Sequence, residues 1–351
     1  MIAVDAMGGD FAPQEVILGA IAAAQQGIPV CLFGDQPTIQ KIIIERKLNI
    51  SHLPISIVHT TQVIDMGQEP TRAVLDNLDS SLVAAVNAVK NGQCSSIVSA
   101  GNTGACLAAG TLMIGRTPAI LRPAIGNGVP TKKGLAFCID LGANPDSKPE
   151  WLVQFAHMGA LYQQLFFSIP NPRIGLLSNG TEAYKGSKAN KQAYELLKTA
   201  PLHFVGNVEP SDIINGAVDV VISDGFVGNI FLKTMEATGS LMQHFITQTV
   251  ASSWFDTIWF GLRKSLFRRV KARAMYDQVG GALLLGLQKP LIVAHGCSNA
   301  KAIEQAIRFA HKVVQERMIE KFNQKIAQLA DVIKPAAPLF SSDFKSSENL
   351  N

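Results

Sequence analysis

The stretch CSSIVSAGNTGACLAAG, residues 94–110, decides the fold. Residues 94–101 read as a short apolar strand. A small polar turn follows, and ACLAAGTLM continues as a good helix. The same alternation runs outward in both directions. MIAVDA (1–6) reads as a strand, PQEVILGAIAAAQQ (13–26) as a helix with Pro13 in its first turn, and IPVCLFG (28–34) as a strand. SSLVAAVNAVKNG (80–92) is a helix ending at Gly92. Further strands are predicted in KKGLAFCIDLG (132–142), PRIGLLSNG (172–180), AVDVVISDG (217–225) and KPLIVAHG (289–296). Strands alternating with helices predict a layered α/β fold.

Four of these strands end in small polar turns: SAGNTG, DLGAN, SDGFVGN and AHGCSN. In α/β folds ligands bind beyond the carboxyl ends of strands. Glycine admits close approach of a ligand to the backbone, and a following helix N-terminus favours anions. The four turns are expected to converge on one anionic site.

The chain has 351 residues, 47% of them hydrophobic and 17% charged, so it is globular rather than disordered. A net charge of +4 is too mild for a dedicated nucleic-acid binder. No secretory leader is expected from the opening Met-Ile-Ala-Val-Asp, and no run reaches the roughly 18 apolar residues of a membrane span. Five scattered cysteines without a Cys-x-x-Cys pair suit a reduced cytoplasm, each as a small buried hydrophobe. No acidic spacing suggests a metal. Residues 1–333 are expected to form one catalytic domain, ending in a single long amphipathic helix over 301–333. The Pro- and Ser-rich residues 334–351 are expected to be a disordered tail.

Several residues carry candidate chemistry. Gly101, Asn102, Thr103 and Gly104 form a plausible phosphate cradle, or equally a tight turn without ligand; they lack the lysine of a Walker A loop. Asp224 sits past an apolar strand, where a carboxylate serves as general acid or base or as a helix cap; the cap is the better reading from sequence alone. Asn229 opens the apolar helix that follows. Lys185, between loop glycines, suits an oxyanion or phosphate, or plain solvent. AHGCSNAKAI (294–303) offers His295, Ser298 and Asn299, with no triad spacing. The N-terminal MGGD (7–10) resembles a ligand loop, which with Asp5 gives Asp5, Gly8, Gly9 and Asp10.

Together AVDAMGGD, SAGNTGA, RPA (122–124), DLGAN, IPNPRIGLL, SDGFVGN, LKTMEA, GGALLLGL and HGCSNAKA resemble the phosphate acyltransferases that act on acyl-carrier protein, the PlsX family, over residues 1 to about 320. The resemblance implies transfer of a long-chain acyl group from acyl-carrier protein to inorganic phosphate. The acyl phosphate would feed a membrane glycerol 3-phosphate acyltransferase in phospholipid synthesis. It further implies a homodimer, no cofactor, and a three-layer α/β/α fold with one mixed sheet, like isopropylmalate dehydrogenase and phosphotransacetylase. In that reading Gly101–Gly104, Asn144 and Asn299 hold phosphate, and Asp224, Lys185, Asn229 and His295 are catalytic. The chain departs from the family in GTEAYKG (180–186), where an acidic run is usual, and in VLDNLDSS (74–81), where a basic stretch is usual. Competing readings are a coenzyme A-dependent phosphotransacetylase, a dehydrogenase of related fold, and a non-enzymatic membrane or nucleic-acid module.

The last competitor rests on SSWFDTIWFGLRKSLFRRVKARA, residues 252–274. On a helix, Trp254, Phe255, Ile258, Trp259, Leu262 and Leu266 line one side, while Arg263, Arg268 and Arg269 lead a basic set opposed only by Asp256. That pattern suits an anionic membrane surface, the acidic carrier protein, or a dimer partner. A long-chain acyl phosphate is poorly soluble and is consumed in the membrane. The segment is therefore expected to seat a cytoplasmic enzyme on the inner face of the plasma membrane.

Overall fold

The structure is a computed structural model that describes residues 1–251 and 280–333. The segment 252–274 and the tail 334–351 lie outside the described residues. So do Trp254, Phe255, Ile258, Trp259, Leu262, Arg263, Leu266, Arg268 and Arg269.

Among the described residues eleven strands form one sheet. They are β1 (Ile2–Asp5), β2 (Val30–Gly34), β3 (Ile55–His59), β4 (Ser96–Ser99), β5 (Ala124–Thr131) and β6 (Gly134–Ile139), then β7 (Ile174–Leu177), β8 (Phe204–Val208), β9 (Val220–Ile222), β10 (Ala282–Leu285) and β11 (Leu291–Val293). Their order is β3-β2-β1-β4-β11-β10-β5-β6-β9-β7-β8. The central strands are buried on both faces, which is why they read as continuous apolar runs rather than alternating ones.

Strands β3, β2, β1, β4 and β11 are mutually parallel. Strand β10 is antiparallel to β11 and to β5, and β5 is antiparallel to β6. Strands β6, β9, β7 and β8 are again parallel. The two parallel halves therefore point in opposite directions, with β10, β5 and β6 making the reversal. Strands β3, β5, β8 and β10 carry no strand expectation from sequence, and all four lie at an edge of the sheet or in the reversal.

Helices cover both faces. One face carries α1 (Gln14–Gln25), α2 (Gln36–Glu45), α6 (Pro149–Phe167), α7 (Lys188–Thr199), α10 (Ala300–Gln315) and α11 (Met318–Gln328) around Ile17, Phe155, Leu197, Ile307 and Phe322. The other carries α3 (Pro70–Asp76), α4 (Ser81–Lys90), α5 (Thr103–Ala109), α8 (Pro210–Ile214) and α9 (Gly225–Ala251) around Val74, Val86, Cys106, Ile213 and Phe231. A π turn, Gly110–Ile114, prolongs α5. The mixed three-layer fold expected from the resemblance is found. Cys31, Cys94, Cys106 and Cys138 are buried, as expected, whereas Cys297 is exposed. No described helix is long and apolar enough to cross a membrane.

The expected single helix over 301–333 is three: α10, α11 and α12 (Ala330–Ile333). Arg317 adopts a left-handed conformation, φ 52°, which ends α10 and redirects the chain. The turn lets Met318, Ile319 and Phe322 bury in the layer that contains α6, which a straight continuation would not reach.

Helices α1 and α10 cross closely at Gly19. A Cβ built there would lie 2.5 Å from the Ala300 carbonyl oxygen and 2.7 Å from Ile303 Cβ. Gly19→Ala gains up to about 1 kcal/mol of helix propensity. It loses about 1–3 kcal/mol to overpacking, because a backbone carbonyl has little room to yield. We expect a net lower urea midpoint with an unchanged m-value; an unchanged or raised midpoint would contradict the close crossing.

Candidate active site

The reversal of the sheet divides the strand-end turns into two groups. SAGNTG follows β4, AHGCSN follows β11 and the N-terminal loop follows β1, all at one edge. DLGAN follows β6, SDGFVGN follows β9 and the Lys185 loop follows β7, all at the opposite edge. The expected convergence of all four polar turns on one site is therefore corrected. The sequence displays where strands end but not the direction in which each one runs.

At the second edge the organising group is Asp140, a residue the sequence reading passed over. It is fully buried. Its Oδ1 accepts from the amides of Ile125 (3.0 Å), Ala143 (3.1 Å) and Gly142 (3.3 Å). Its Oδ2 accepts from the Asn144 amide (2.6 Å) and from Asn144 Nδ2 (2.9 Å). Burial pushes the carboxyl above its ordinary value, and these donors pull it back. Asn144 Nδ2 also donates to the Pro123 carbonyl at 2.9 Å, and the Asn144 carbonyl accepts the Gly225 amide at 2.8 Å. Both side-chain N–H groups of Asn144 are thus committed. In this structure Asn144 braces the turn.

Asp224 and Asn229 stand at the start of α9. Asp224 Oδ1 accepts the Val227 amide at 2.7 Å, so it caps this 27-residue helix. It is also half-buried, and burial raises its pKa. The Val227 and Phe226 amides oppose that rise, and the charge of Asp146 adds to it. The cap and the titratable carboxyl are one residue. Gly228 brings the first turn of α9 onto this loop: a Cβ there would collide with the Asp140 carbonyl oxygen. Asn229 faces Gly142, where a built Cβ would lie 3.5 Å from Asn229 Nδ2.

Strand β7, next to β9, delivers the Lys185 loop to the same edge. Asn179 Oδ1 accepts the Gly186 amide at 3.1 Å, and Asn207 Nδ2 donates to the Glu182 carbonyl at 2.8 Å. The loop is tied at both ends. Lys185 Nζ lies 5.6 Å from the Tyr184 ring centre, and among the described residues it has no carboxylate partner. Asp224, Asn229 and Lys185 are therefore brought to one edge, with Asn144 beneath them.

The first edge is closed by its own hydrogen bonds. Buried Asp5 accepts from Ser81 Oγ (2.6 Å), Ser99 Oγ (2.7 Å) and the Met7 amide (3.3 Å). Burial raises its pKa while the two hydroxyls oppose the rise. Gly8 packs on Gly101, Gly9 lies beside the Gly296 carbonyl, and the Asp10 amide donates to that carbonyl at 2.8 Å. Asn102 Nδ2 donates to the carbonyls of Met66 and Gln68, each at 3.1 Å, and Asn102 Oδ1 accepts the Ala105 amide. Asn299 caps α10 by accepting the Ala302 amide at 3.0 Å. Asn102 caps α5 and ties its turn to the 65–68 loop, whereas the Asn299 cap engages only its side-chain oxygen. Gly101, Thr103 and Gly104 remain a turn entering α5.

His295 lies at this first edge, about half exposed, with Nε2 3.3 Å from Glu236 Oε1. Glu236 belongs to α9, eleven residues beyond Gly225, a rise of about 16 Å. Helix α9 thus spans the distance between the edges, and His295 is far from Asp224.

A mixed sheet between helix layers, reversed at its centre, is the fold of the phosphotransacylases. The chain resembles a phosphotransacetylase from Streptococcus pyogenes (TM-score 0.58, 16% identity, 90% of this chain and 94% of that one). It also resembles a branched-chain phosphotransacylase from Enterococcus faecalis V583 (TM-score 0.56, 15% identity, 90% and 99%). These likenesses define the fold class. Residues 1–321 match the family described as "Fatty acid synthesis protein", and the chain belongs to that family. It is 45% identical over 316 residues to the phosphate acyltransferase of Oceanobacillus iheyensis, covering 90% of this chain and 93% of that one. It is an acyltransferase.

The Asp140 network offers a direct test. In Asp140→Asn one acceptor oxygen becomes an NH2 group. Whichever way the amide turns, at least two N–H donors lose their acceptor. A buried donor left unpaired costs about 1–3 kcal/mol. We expect Asp140→Asn to lose at least about 2 kcal/mol of unfolding free energy in a denaturant titration; a wild-type midpoint would remove Asp140 from its role.

Proposed function

We propose that this acyltransferase moves a long-chain fatty acyl group from acyl-carrier protein to inorganic phosphate, at the edge formed by β6, β9 and β7. Asp224 carries the reading: a half-buried carboxyl with raised pKa at the N-terminus of a long helix, on the strand next to the Lys185 loop. The name shared by the curated relatives supports phosphate as acceptor. The family description supports a fatty acyl group.

A phosphate oxygen attacks the thioester carbonyl carbon, and the negative charge moves to the carbonyl oxygen. Lys185 stabilises that oxyanion and Asn229 orients the phosphate. When the intermediate collapses, the carbon–sulfur bond breaks and the electron pair leaves on sulfur. The proton of the attacking phosphate hydroxyl passes to Asp224 and on to the thiolate, so acyl phosphate and free thiol result. Phosphate held against the thioester is nucleophile enough, and no covalent enzyme intermediate is required. Residues 1–333 form one catalytic unit in this reading. Its product feeds a membrane glycerol 3-phosphate acyltransferase in phospholipid synthesis.

Two further parts concern place and assembly. The outer face of α9 exposes Phe226 (61%), Ile230 (51%), Leu241 (51%) and Phe245 (52%), which supports pairing with a second copy. The basic, tryptophan-bearing segment 252–274 supports a cytoplasmic enzyme seated on the inner face of the plasma membrane.

The assay is phosphate-dependent loss of acyl-carrier-protein thioester, with acyl phosphate trapped as hydroxamate and acyl-CoA run alongside. Lys185→Ala and Asp224→Asn are each expected to lower kcat/KM by about 10²-fold or more. Turnover near wild type in both would defeat the assignment. Greater activity with acyl-CoA would favour the phosphotransacetylase-like alternative.

The pH profile follows from the charged form of Asp224 being the proton acceptor. Because its pKa is raised, that form is lost on acidification at a higher pH than for an ordinary aspartate. The acid limb of kcat/KM is therefore displaced upward and vanishes in Asp224→Asn. Phosphate's own ionisation is common to both enzymes and cancels in the comparison.

Vesicle sedimentation addresses the membrane seat. Binding to vesicles of anionic lipid is expected to weaken with salt and with Trp259→Glu. Indifference to both would remove the membrane seat from the proposal.

A further inference from the structure

Next to the Lys185 loop stands a set of cations that the reaction does not use. Ser187 caps α7, and Lys188 is the first residue of the helix. Lys191 follows three positions later, which places the two side chains on neighbouring points of one face. Both are exposed. Tyr184, 67% exposed, lies beside them in the loop.

The electrostatics of this face are unfavourable for the isolated chain. The N-terminus of a helix carries partial positive charge and prefers acidic side chains. Helix α7 has no acidic residue in its first turn and begins with lysine. Among the described residues neither Lys188 nor Lys191 has a carboxylate partner, whereas Lys198 further along the helix is paired with Glu195 at 3.6 Å. Three lysines, Lys185, Lys188 and Lys191, thus gather here without a carboxylate partner among the described residues. A second aromatic-basic group stands at this edge, where the Arg122 Cζ and Lys148 Nζ lie 4.8 Å and 5.9 Å from the centre of the Trp151 ring; Lys185 Nζ lies 5.6 Å from that of Tyr184, while among the described residues no ring lies over Lys188 or Lys191.

We propose that Tyr184, Lys188 and Lys191 form the docking surface for the acidic acyl-carrier protein, which delivers its thioester arm to the adjacent Lys185 and Asp224. This rests on the acyl donor proposed above. The surface lies at the same edge as the reacting carboxyl, because β7 leads into it and β7 pairs with β9. An acidic protein surface supplies the carboxylates that the helix lacks, and an exposed tyrosine is a fitting anchor at the centre of an interface. The lysines hold the carrier and take no part in the chemistry.

The test compares the full-length protein with Lys188→Glu/Lys191→Glu, using acyl-carrier protein and phosphate. Both positions are exposed, so the variant should fold; its unfolding midpoint is recorded. We expect the KM for acyl-carrier protein to rise about tenfold or more at low salt, with kcat at saturating carrier and the KM for phosphate unchanged. The wild-type KM should rise with salt, and the variant should lose most of that dependence. Lys188→Gln/Lys191→Gln should lie between the two. Equal KM values in wild type and variant, or a fall in kcat with KM unchanged, would overturn the proposal. Calorimetric titration with holo-acyl-carrier protein separates docking from reaction. Binding that weakens about tenfold in the variant supports the surface even if wild type consumes no thioester, in which case the proposed reaction alone has failed. No binding by wild type overturns the surface.

Discussion

The candidate site depends on how one buried carboxylate is satisfied. Asp140 lies where β6 ends, and its two oxygens accept five hydrogen bonds from four residues. One donor, the Ile125 amide, belongs to the antiparallel neighbour β5; the others shape the turn that follows. Through Asn144 the network reaches Pro123 and the first residue of α9. A carboxylate without water is tolerable only when its lone pairs are occupied. The solvation of Asp140 therefore fixes the reversal of the sheet, the DLGAN turn and the start of the helix that bears Asp224 relative to one another.

Much of this was legible in the sequence, and the limits have physical causes. A short apolar run that ends in a small polar turn and passes into a helix has a local signature, so β1, β4, β7, β9 and β11 emerge from pattern alone. Strand direction has no local signature. The division of the polar turns between two edges arises from the pairing of β10 with β5 across more than 150 positions of chain, which no window of sequence displays. Asparagine posed a related problem. Asn102, Asn144 and Asn299 all sit in turns like ligands, but a side-chain amide also serves structure, its oxygen accepting at a helix cap in Asn102 and Asn299 and its hydrogens bracing the turn in Asn102 and Asn144. Asp140 had the opposite fate: inside CIDLGAN it looked like turn punctuation, and its burial appears only once the strands are paired. The long helix over 301–333 failed at Arg317, a residue with no obvious tendency to the left-handed conformation that the packing of α11 imposes.

Within the second edge each polar group has a distinct environment. Asp140 has every lone-pair direction engaged and serves structure. Asp224 is half-buried with a lighter set of donors, and burial raises its pKa. Lys185 stands in a loop tied at both ends, near the Tyr184 ring and without a carboxylate partner among the described residues. Two carboxylates just past the ends of adjacent parallel strands thus differ in environment because their donor counts differ.

Helix α9 links the two edges of the sheet. Its first turn rests on the Asp140 loop, its middle reaches His295 through Glu236, and its outer side carries an uncovered apolar strip. The strip and the capped end belong to one element: Phe245 and Asp224, some twenty residues apart, are carried on a single helix axis, so a copy seated on the strip as proposed above would rest on the same helix that Asp224 caps.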